Sequence, residues 1–460
     1  MENVFNQSIW GDEGFSAILS MKSLPEIIKI ISKDTSPPLW NIFENLAFQT
    51  FGTSEVVIRG LSLTFFLGAI FFTYKIASFL FSRKTGFLAA LLTFLNPFFF
   101  IYAFEGRMYS IMSLGVAASM YFYLRIFYNE EKIRRRDKLG YIFFTLWALY
   151  SHHFAFFAVA VQGLWWLYEL TFGKRVRAKK MFKLFLITGA GYIPWLYPLY
   201  TQTKMVGGGF WLGTPNTEDL EKLIHEYIYK GIVNENLKFP ILNMPLYQAS
   251  WYVVLVVAVF RKWWKNIKKT VFFLLWFFGP ILLTWFISQK FQSIFFNRYF
   301  LYTIPAAMLV LVSSRSKLSI IPLTVLAIFF GIMDYNYFTH PTKLPFREMA
   351  TYVKEIKSED DFLINWYSNG THHIWETKYY GIPAPIYVSR EGELPFFVGT
   401  ALMEEKDIIH QIPDGVSRVG VVTSGPIEEI SLTGYKQDEI KRFDGLKFVW
   451  LSASAFNSEE

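Results

Sequence analysis

The chain contains no cysteine and few charged residues for its length of 460. The absence of cysteine excludes a disulfide framework, a thiolate metal site and a cysteine nucleophile. Charged residues make up only 18% of the sequence, whereas hydrophobic residues reach 53% and aromatic residues 20%. Because this exceeds what an ordinary soluble core requires, the composition predicts a polytopic membrane protein. Its chemistry must then come from Asp, Glu, His, Arg or Tyr.

Apolar runs follow one another through the first three quarters of the chain. A bilayer-spanning helix needs about 20 such residues, and several of the runs are short or touch their neighbours. We therefore predict an α-helical protein with about ten spans, whose boundaries are approximate. The runs lie at 56–81, 86–104, 107–128, 139–154, 155–172, 182–201, 248–260, 270–289, 297–313 and 318–338.

Lysine and arginine are concentrated in every second connection between these runs. The connections at 82–85, 129–138, 173–180, 261–269 and 314–317 hold 2, 5, 5, 5 and 2 of them, or 19 within 35 residues. By the positive-inside rule these five loops face the cytoplasm. The net charge of +8 thus follows from topology, and no nucleic-acid partner is needed to explain it.

The same orientation places everything before residue 56 on the outer side of the membrane. We interpret 15–34 and 37–52 as helices that lie in the outer interface, because the second is short, opens with two prolines and contains Glu44. An outer N-terminus usually requires a preceding transmembrane helix or a signal peptide. Either such a helix precedes this chain, which we favour, or the N-terminus is itself translocated.

The composition changes after residue 338. The stretch "LPFREMATYVKEIKSEDDFLINWYSNG" is predicted to form an amphipathic helix followed by a buried strand, and "IYVS", "SRVGVVTSG" and "LKFVWLSA" are predicted as further strands, so the tail should be a small α/β domain. It contains no Gly-rich phosphate-binding loop. The predicted organisation is an outer segment at 1–55, a transmembrane domain at 56–342 with an outer loop at 202–247, and an extracytoplasmic α/β domain at 343–460.

Two adjacent carboxylates, Asp12 and Glu13, lie in "WGDEGFS". A carboxylate at a membrane interface can accept a proton from an acceptor hydroxyl or bind a divalent cation. Alternatively, the pair caps a helix that begins near Phe15, where negative charge complements the helix dipole. Asp34 precedes two prolines in "DTSPPLW", where turn formation is its simplest role.

"FEGRMYS" at 104–110 lies at the predicted outer end of two spans. Charge is costly at this depth and is often functional. Arg107 could bind a phosphate with two parallel hydrogen bonds, or it could form an interfacial ion pair with Glu105 that anchors the turn. Tyr109 belongs to the same group of candidate site residues.

Two further motifs map to the same face. His152 and His153 in "YSHHF" could bind metal or shuttle protons, or could belong to an ordinary interfacial loop. Arg298 in "NRYF" could bind phosphate or extend to lipid headgroups. The metal candidates are Asp12, Glu13 and His152.

Taken in order, "WGDEGFS", "DTSPPLW", "FEGRMYS", "SHHF", "NRYFLYTIPA" and "FREMATYVKEI" resemble the lipid-carrier-dependent GT-C glycosyltransferases. The resemblance covers nearly the whole chain and is strongest to protein O-mannosyltransferases and bacterial aminoarabinose transferases (glycosyltransferase families 39 and 83). It implies that Asp12 is the catalytic acidic residue, with Glu13 beside it, and that Arg107 binds the donor phosphate with help from Arg298. The family often has histidine before the two prolines, where this chain has Ser36.

The resemblance implies an inverting transferase of the plasma (inner) membrane, with its active site on the extracytoplasmic face. Its partners would be a polyprenyl-phosphate-sugar donor, a hydroxyl-bearing acceptor (protein, lipid or glycan) and the bilayer, with a divalent metal as an open question. The competing classes are a transporter or flippase for a lipid-linked glycan, and a glycan ligase or polymerase. A transporter would be expected to carry charges near the membrane midplane and interrupted helices in repeated halves.

Overall fold

The computed structural model describes residues 2–129, 133–231, 239–262, 267–313, 317–368, 370–389 and 394–454. Parts of three basic loops (130–132, 263–266 and 314–316) and part of the predicted outer loop (232–238) lie outside the described residues, so the structure does not bear on them. The chain divides into two compact units. One contains residues 1–34, 41–58 and 341–460, and the other contains 35–40 and 59–340.

Helices make up most of the chain. In order they are α1 (Gly11–Ser20), α2 (Leu24–Ile31), α3 (Leu39–Phe51), α4 (Glu55–Leu80), α5 (Arg83–Phe94), α6 (Pro97–Ile101), α7 (Tyr109–Tyr128), α8 (Arg135–Ser151), α9 (Ala155–Thr171), α10 (Arg175–Tyr192), α11 (Leu196–Gly207), α12 (Thr217–His225), α13 (Pro245–Lys262), α14 (Ile267–Ser288), α15 (Ile304–Ser313), α16 (Lys317–Thr339), α17 (Phe346–Ile356) and α18 (Ile374–Tyr379).

Among the described helices, four are long and apolar enough to cross a membrane, namely α4, α7, α14 and α16. A fifth candidate is formed by α5 and the stretch Pro97–Phe104, which are bent by 61° at a short break. Asn96 explains the new start, because its side chain accepts a hydrogen bond from Phe99 N and Pro97 occupies the first turn. The other predicted runs form shorter or more polar helices, so a count of ten spans is not confirmed.

Two further runs are also interrupted. Residues 182–201 divide at the 3₁₀ turn Ile193–Trp195, which contains Pro194 and separates α10 from α11. Residues 297–313 begin as a seven-residue 3₁₀ helix, Asn297–Thr303, and continue as α15. The single helix expected over 15–34 is wrong as well. It is two helices, because Ser23 and Glu26 form a capping box and Pro25 lies in the first turn of α2.

The α/β domain is built on a six-stranded sheet in the order β3-β2-β1-β4-β6-β5. The first four strands in this order, β3, β2, β1 and β4, are parallel to one another. Strand β6 pairs antiparallel with β4, and β5 pairs antiparallel with β6. The strands are β1 (Phe362–Trp366), β2 (Ile386–Tyr387), β3 (Ile408–Ile409), β4 (Arg418–Thr423), β5 (Tyr435–Phe443) and β6 (Leu446–Ala453). The predicted helix and strands are confirmed, whereas β3 and β5 were missed.

The two faces of the sheet bury separate hydrophobic clusters. Leu363 packs on one face with Phe346 and Val353 of α17, whereas its neighbour Ile364 packs on the other with Val421. Successive side chains of a strand point to opposite faces. Because both faces are covered, β1 and β4 are apolar along almost their whole length, as central parallel strands usually are.

Candidate active site

Asp12 and Glu13 lie in the first turn of α1, since the helix begins at Gly11 rather than near Phe15. Trp10 is the N-cap residue and makes no side-chain capping hydrogen bond. The two carboxylates therefore do not cap the helix, although their charge complements its positive end. Glu13 is fully buried, and Asp12 is partly exposed. Of the pair, Asp12 is the one that water or a substrate can reach.

The helix that carries these carboxylates packs tightly on α18. A Cβ atom placed at Gly14 would lie 2.9 Å from the Trp375 Cβ and 3.2 Å from its carbonyl carbon. The Phe15 ring meets the Trp375 indole edge to face, with 5.5 Å between the ring centroids. Glycine at residue 14 is thus required by close approach, and it fixes α1 on the C-terminal domain.

Polar side chains fix the opposite end of α1 to α3. The Ser20 hydroxyl donates to Glu44 Oε2 at 2.7 Å and accepts from Asn41 Nδ2 at 3.0 Å. Asn45 Nδ2 donates to the backbone carbonyls of Ser20 and Lys22 at 2.8 and 3.0 Å. Glu44, noted in the sequence as an obstacle to a transmembrane span, is fully buried in this network.

Arg347 at the start of α17 connects the N-terminal segment to the C-terminal domain. Its Nη2 donates to the Asn6 carbonyl and to Glu55 Oε1, both at 2.7 Å. The Tyr380 hydroxyl donates to the same Glu55 oxygen at 2.7 Å and accepts from Ile9 N at 2.9 Å. Burial, and then the Glu55 charge, raise the pKa of Tyr380, so it remains a neutral donor. The motif containing Arg347 therefore has a structural function.

In the other unit, Arg107 lies directly after the bent span. Glu105, which is buried, follows the stretch Pro97–Phe104, and Arg107 N donates to the Glu105 carbonyl at 2.7 Å. This tight turn leads into α7, which begins at Tyr109. The bend at Asn96 and Pro97 thus ends the preceding helix early and leaves Arg107 on a partly exposed turn.

Arg298 lies against the same group of side chains. Its Cζ is 5.6 Å from the centre of the Tyr109 ring and 4.9 Å from that of Phe296, distances typical of cation–π contacts. The His152 ring is 6.2 Å from that of Tyr109, and the charges of both Arg107 and Arg298 act on it. Residues from three distant motifs thus meet in one place.

The turn that carries Arg298 is hydrogen-bonded to the segment Glu226–Lys230 through its neighbour Asn297. Asn297 Nδ2 donates to Glu226 Oε2 at 3.3 Å, and the Tyr227 hydroxyl donates to the Asn297 carbonyl. The Tyr227 carbonyl in turn accepts from Asn96 Nδ2 at 2.7 Å, next to the helix break. Burial raises the pKa of Glu226, while its hydrogen bond to Asn297 opposes that shift.

His153 has a different environment from its neighbour. Its Nε2 is 2.7 Å from Gln202 Oε1, and Gln202 Nε2 donates to the Ser36 carbonyl at 3.4 Å. The two histidines therefore do not act as a pair. Asp34 is buried in the connection after α2, five residues before α3 begins, so it is not the N-cap of that helix.

The Arg298 guanidinium beside the Tyr109 ring, with the charge of Arg107 acting on the neighbouring His152, suits an anion with several oxygens, such as a phosphate. No group of three or more His, Cys, Asp or Glu side chains that could hold a metal ion occurs among the residues that the structure describes. The structure thus brings together Arg107, Tyr109, His152 and Arg298. Asp12, Glu13 and Asp34 belong to the other compact unit.

Several residues around these sites were missed by the sequence analysis. Gln202, Arg347 and Asn297 act through partners distant in sequence, so no local pattern marks them. Arg59 did have a signal, because an arginine at the fourth residue of an apolar run is unusual. It is fully buried in α4.

An α-helical membrane-embedded unit with broken helices, joined to a C-terminal α/β domain, has the architecture of the GT-C transferases. Two solved structures of ArnT from Cupriavidus metallidurans have this fold. The apo structure matches with a TM-score of 0.67 at 11% identity, and the structure bound to undecaprenyl phosphate matches with a TM-score of 0.64 at 10% identity. Each match covers 99% of this chain and 96% of the other.

These matches confirm the predicted GT-C-like fold and the resemblance to the aminoarabinose-transferase group at the level of the fold. No family model and no curated protein matches the chain. Identities of 10 and 11% show a shared fold only, so the activity and the roles of individual residues have to be argued from this chain's own side chains.

Proposed function

We propose that the protein is a glycosyltransferase that transfers a sugar from a polyprenyl-phosphate donor to a hydroxyl acceptor on the outer face of the membrane. The observation that carries the proposal is that Arg298 lies against the Tyr109 ring next to His152, and that the charges of Arg107 and Arg298 both act on His152. The fold supports it, since one of the ArnT structures with the same fold contains undecaprenyl phosphate. The acceptor would be a protein, a lipid or a glycan.

The chemistry requires two groups with opposite tasks. The acceptor hydroxyl attacks the anomeric carbon, and the bond to the donor phosphate breaks, which inverts the configuration. A base must take the hydroxyl proton, and positive charge must stabilise the departing phosphate. In this proposal Asp12 is the base, since it is the more exposed carboxylate of its pair, and Glu13 supports α1 from its buried position.

The phosphate is assigned to Arg107 and Arg298. A guanidinium group offers two parallel donors that match two phosphate oxygens, and it stays charged at any physiological pH. Tyr109 lies under the Arg298 guanidinium and limits the orientations that this side chain can adopt. The apolar surfaces of the spans, with many of the chain's 49 phenylalanines, suit the isoprenoid tail.

The experiment compares donor binding and sugar transfer for Arg107→Ala, Arg107→Lys and Arg298→Ala in lipid nanodiscs. Charge-assisted hydrogen bonds contribute roughly 1.5–3 kcal/mol each, so losing one or two should slow transfer by about tens- to thousands-fold. Lysine at residue 107 should restore only part of the rate, because a point charge cannot replace a two-pronged contact. Arg136→Ala, in the exposed first turn of α8, is the matched control.

Melting temperatures of the same samples separate binding from stability. A stable Arg107→Ala protein with normal donor affinity and normal transfer would contradict the assignment. A wild-type protein that moves the lipid-linked donor between leaflets without cleaving it would indicate a flippase. Transfer of a whole preassembled glycan instead of a single sugar would indicate a ligase or polymerase.

A further inference from the structure

The α/β domain has a second candidate site at the carboxyl ends of its central strands. From β1 the chain moves outward to β2 and β3, and then returns to place β4 on the other side of β1. The order of the strands therefore reverses between β1 and β4, which are parallel neighbours. In open α/β sheets, ligands bind outside the carboxyl ends of the strands at such a reversal.

Serine, histidine and glutamate side chains meet at this point. Ser424 directly follows β4, while His373 and Glu376 belong to the segment after β1, at and just beyond the start of α18. His373 Nε2 is 2.9 Å from the Ser424 Oγ. On the other side of the ring, His373 Nδ1 is 3.5 Å from Glu376 Oε1. The three groups thus lie in a row, with the hydroxyl within hydrogen-bond distance of one imidazole nitrogen and the carboxylate 3.5 Å from the other.

The carboxylate determines which imidazole nitrogen carries the proton. If Nδ1 were unprotonated, its lone pair would face a carboxylate oxygen, which is unfavourable. Protonated Nδ1 can instead donate towards Glu376, and this leaves Nε2 as the acceptor for the Ser424 hydroxyl proton. Ser424 therefore donates and His373 accepts, which is the arrangement that activates a serine oxygen.

Burial strengthens this interpretation. The Glu376 side chain is 3% exposed, and among the described residues neither its Oε2 nor His373 Nδ1 has a hydrogen-bond partner. Buried polar groups without partners are rare and costly, and they often occur at functional sites. The 3.5 Å separation is long for a hydrogen bond, but such contacts are commonly looser without substrate. Ser424 itself is partly exposed, so a substrate can reach it.

The turn that carries Ser424 is fixed on two sides. Lys447 Nζ donates to the carbonyls of Ser424 and Gly425 at 3.3 and 2.7 Å. A Cβ at Gly425 would lie 2.6 Å from the Ser368 Oγ, so the turns after β1 and β4 approach closely. The same Ser368 hydroxyl donates to Glu429. This arrangement holds the serine in place and brings a positive charge to its turn.

We infer that Ser424 is a nucleophile, activated by His373 and oriented through it by Glu376, that hydrolyses a carboxylic ester. The Ser424 oxygen adds to the ester carbonyl while its proton passes to His373 Nε2. The C–O bond to the alcohol then breaks, and the alcohol leaves with that proton. Water then adds to the acyl-serine while His373 Nε2 takes its proton, and this proton returns to the Ser424 oxygen as its bond to the acyl carbon breaks and the carboxylic acid is released. Ser424 and His373 would be catalytic residues, and Glu376 a positioning residue.

The first test uses the intact protein in detergent with a fluorophosphonate probe and p-nitrophenyl acetate. We expect a covalent adduct on Ser424 by mass spectrometry, and its loss together with esterase turnover in Ser424→Ala. Glu376→Gln should lower turnover by at least about tenfold, because the imidazole tautomer is no longer fixed. Ser417→Ala, an exposed serine just before β4, should leave both readouts unchanged.

A second test needs no ester substrate. Because the chain contains no cysteine, Ser424→Cys introduces a single thiol, whose alkylation by iodoacetamide can be followed against pH. An adjacent imidazole lowers the pKa of a thiol, so this thiol should react faster near pH 6 than the thiol of Ser417→Cys. Adding His373→Gln should abolish the difference, while melting temperatures verify folding.

The outcomes are decisive in either direction. An adduct on Ser424 together with a low-pH alkylation advantage that depends on His373 supports the inference. A Ser424→Cys thiol that titrates like the Ser417→Cys thiol, or an absence of any adduct on Ser424 in folded protein, overturns it. Neither result depends on sugar transfer, so the proposal for the membrane unit stands or fails separately.

Discussion

Replacing Gly14 with alanine should displace the helix that carries Asp12 without altering either carboxylate. The new Cβ would lie 2.9 Å from the Trp375 Cβ and 3.2 Å from its backbone carbon, so neither neighbour can move aside as a flexible side chain could. Overpacking of this kind typically costs about 1–3 kcal/mol. Alanine also favours a helix over glycine by about 0.8–1.0 kcal/mol, which offsets part of the cost.

A matched control removes this offset. Gly163 lies inside α9, and no described atom would be within 4 Å of a Cβ placed there. Gly163→Ala gains the same helix propensity without a clash. The difference between the two variants therefore isolates the contact with Trp375, and it should amount to about 1–3 kcal/mol.

Hydrogen exchange of the peptide covering residues 11–20 measures this effect directly. After the helix-propensity gain is subtracted, a loss of up to about 2 kcal/mol in the opening free energy remains, and it should speed exchange in α1 by up to roughly thirty-fold, whereas Gly163→Ala should slow exchange in α9. Sugar transfer should fall in parallel, because Asp12 moves with the helix. If Gly14→Ala slowed exchange in α1 by the same factor as Gly163→Ala slows it in α9, the reasoning would be refuted, since α1 would then not depend on close packing against α18.

Four further predictions concern single groups. Asp12→Asn should abolish transfer but preserve the melting temperature, because the amide keeps the shape and cannot accept a proton; wild-type turnover would remove Asp12 from the mechanism. Arg347→Met removes the ion pair with Glu55 and should destabilise its unit by about 1 kcal/mol, a value reduced because the arginine side chain is 42% exposed. Calorimetry measures this loss, and an unchanged melting temperature would count against it. Burial raises the pKa of Glu226 above its usual value of 4.5, so folding favours the protonated carboxyl. Stability is therefore full below the usual pKa and falls as pH rises from it through the raised pKa of the folded state. Glu226→Gln should raise the melting temperature at pH 7 and have little effect at pH 4. A reporter fused after Phe338 should be active only outside the cytoplasm, and cytoplasmic activity would overturn the topology.

The sequence predicted the local features of this protein better than the contacts between them. The helix over Phe346–Ile356 and the strand over Phe362–Trp366 have clear periodicity, and both were found. The edge strand β3 has two residues, too few for any periodic signal, and β5, at the other end of the sheet, is mostly polar because most of its side chains are exposed. Its sequence therefore resembles a solvated loop.

The same difference applies to the candidate site, where single residues could be predicted from the sequence but their contacts could not. Arg107 and Arg298 could be selected because charge is conspicuous in an apolar chain, and their roles remain predictions. Their meeting beside Tyr109 depends on the helix break at Asn96 and on the segment around Tyr227, which lie in separate parts of the sequence. Likewise, nothing in "WGDEGFS" indicates that Gly14 is needed to accommodate Trp375.

The inclusion of the first 34 residues in the same compact unit as residues 341–460 has a consequence for biosynthesis. Ile9 and Ala17 become buried in a cluster with Tyr379 and Tyr380, which are synthesised more than 300 residues later. At about 5–20 residues per second, the N-terminal segment waits on the order of 15–70 s for these partners. During that interval its apolar side chains have no completed core, so a ribosome stalled within the spans leaves a segment open to proteases and chaperones.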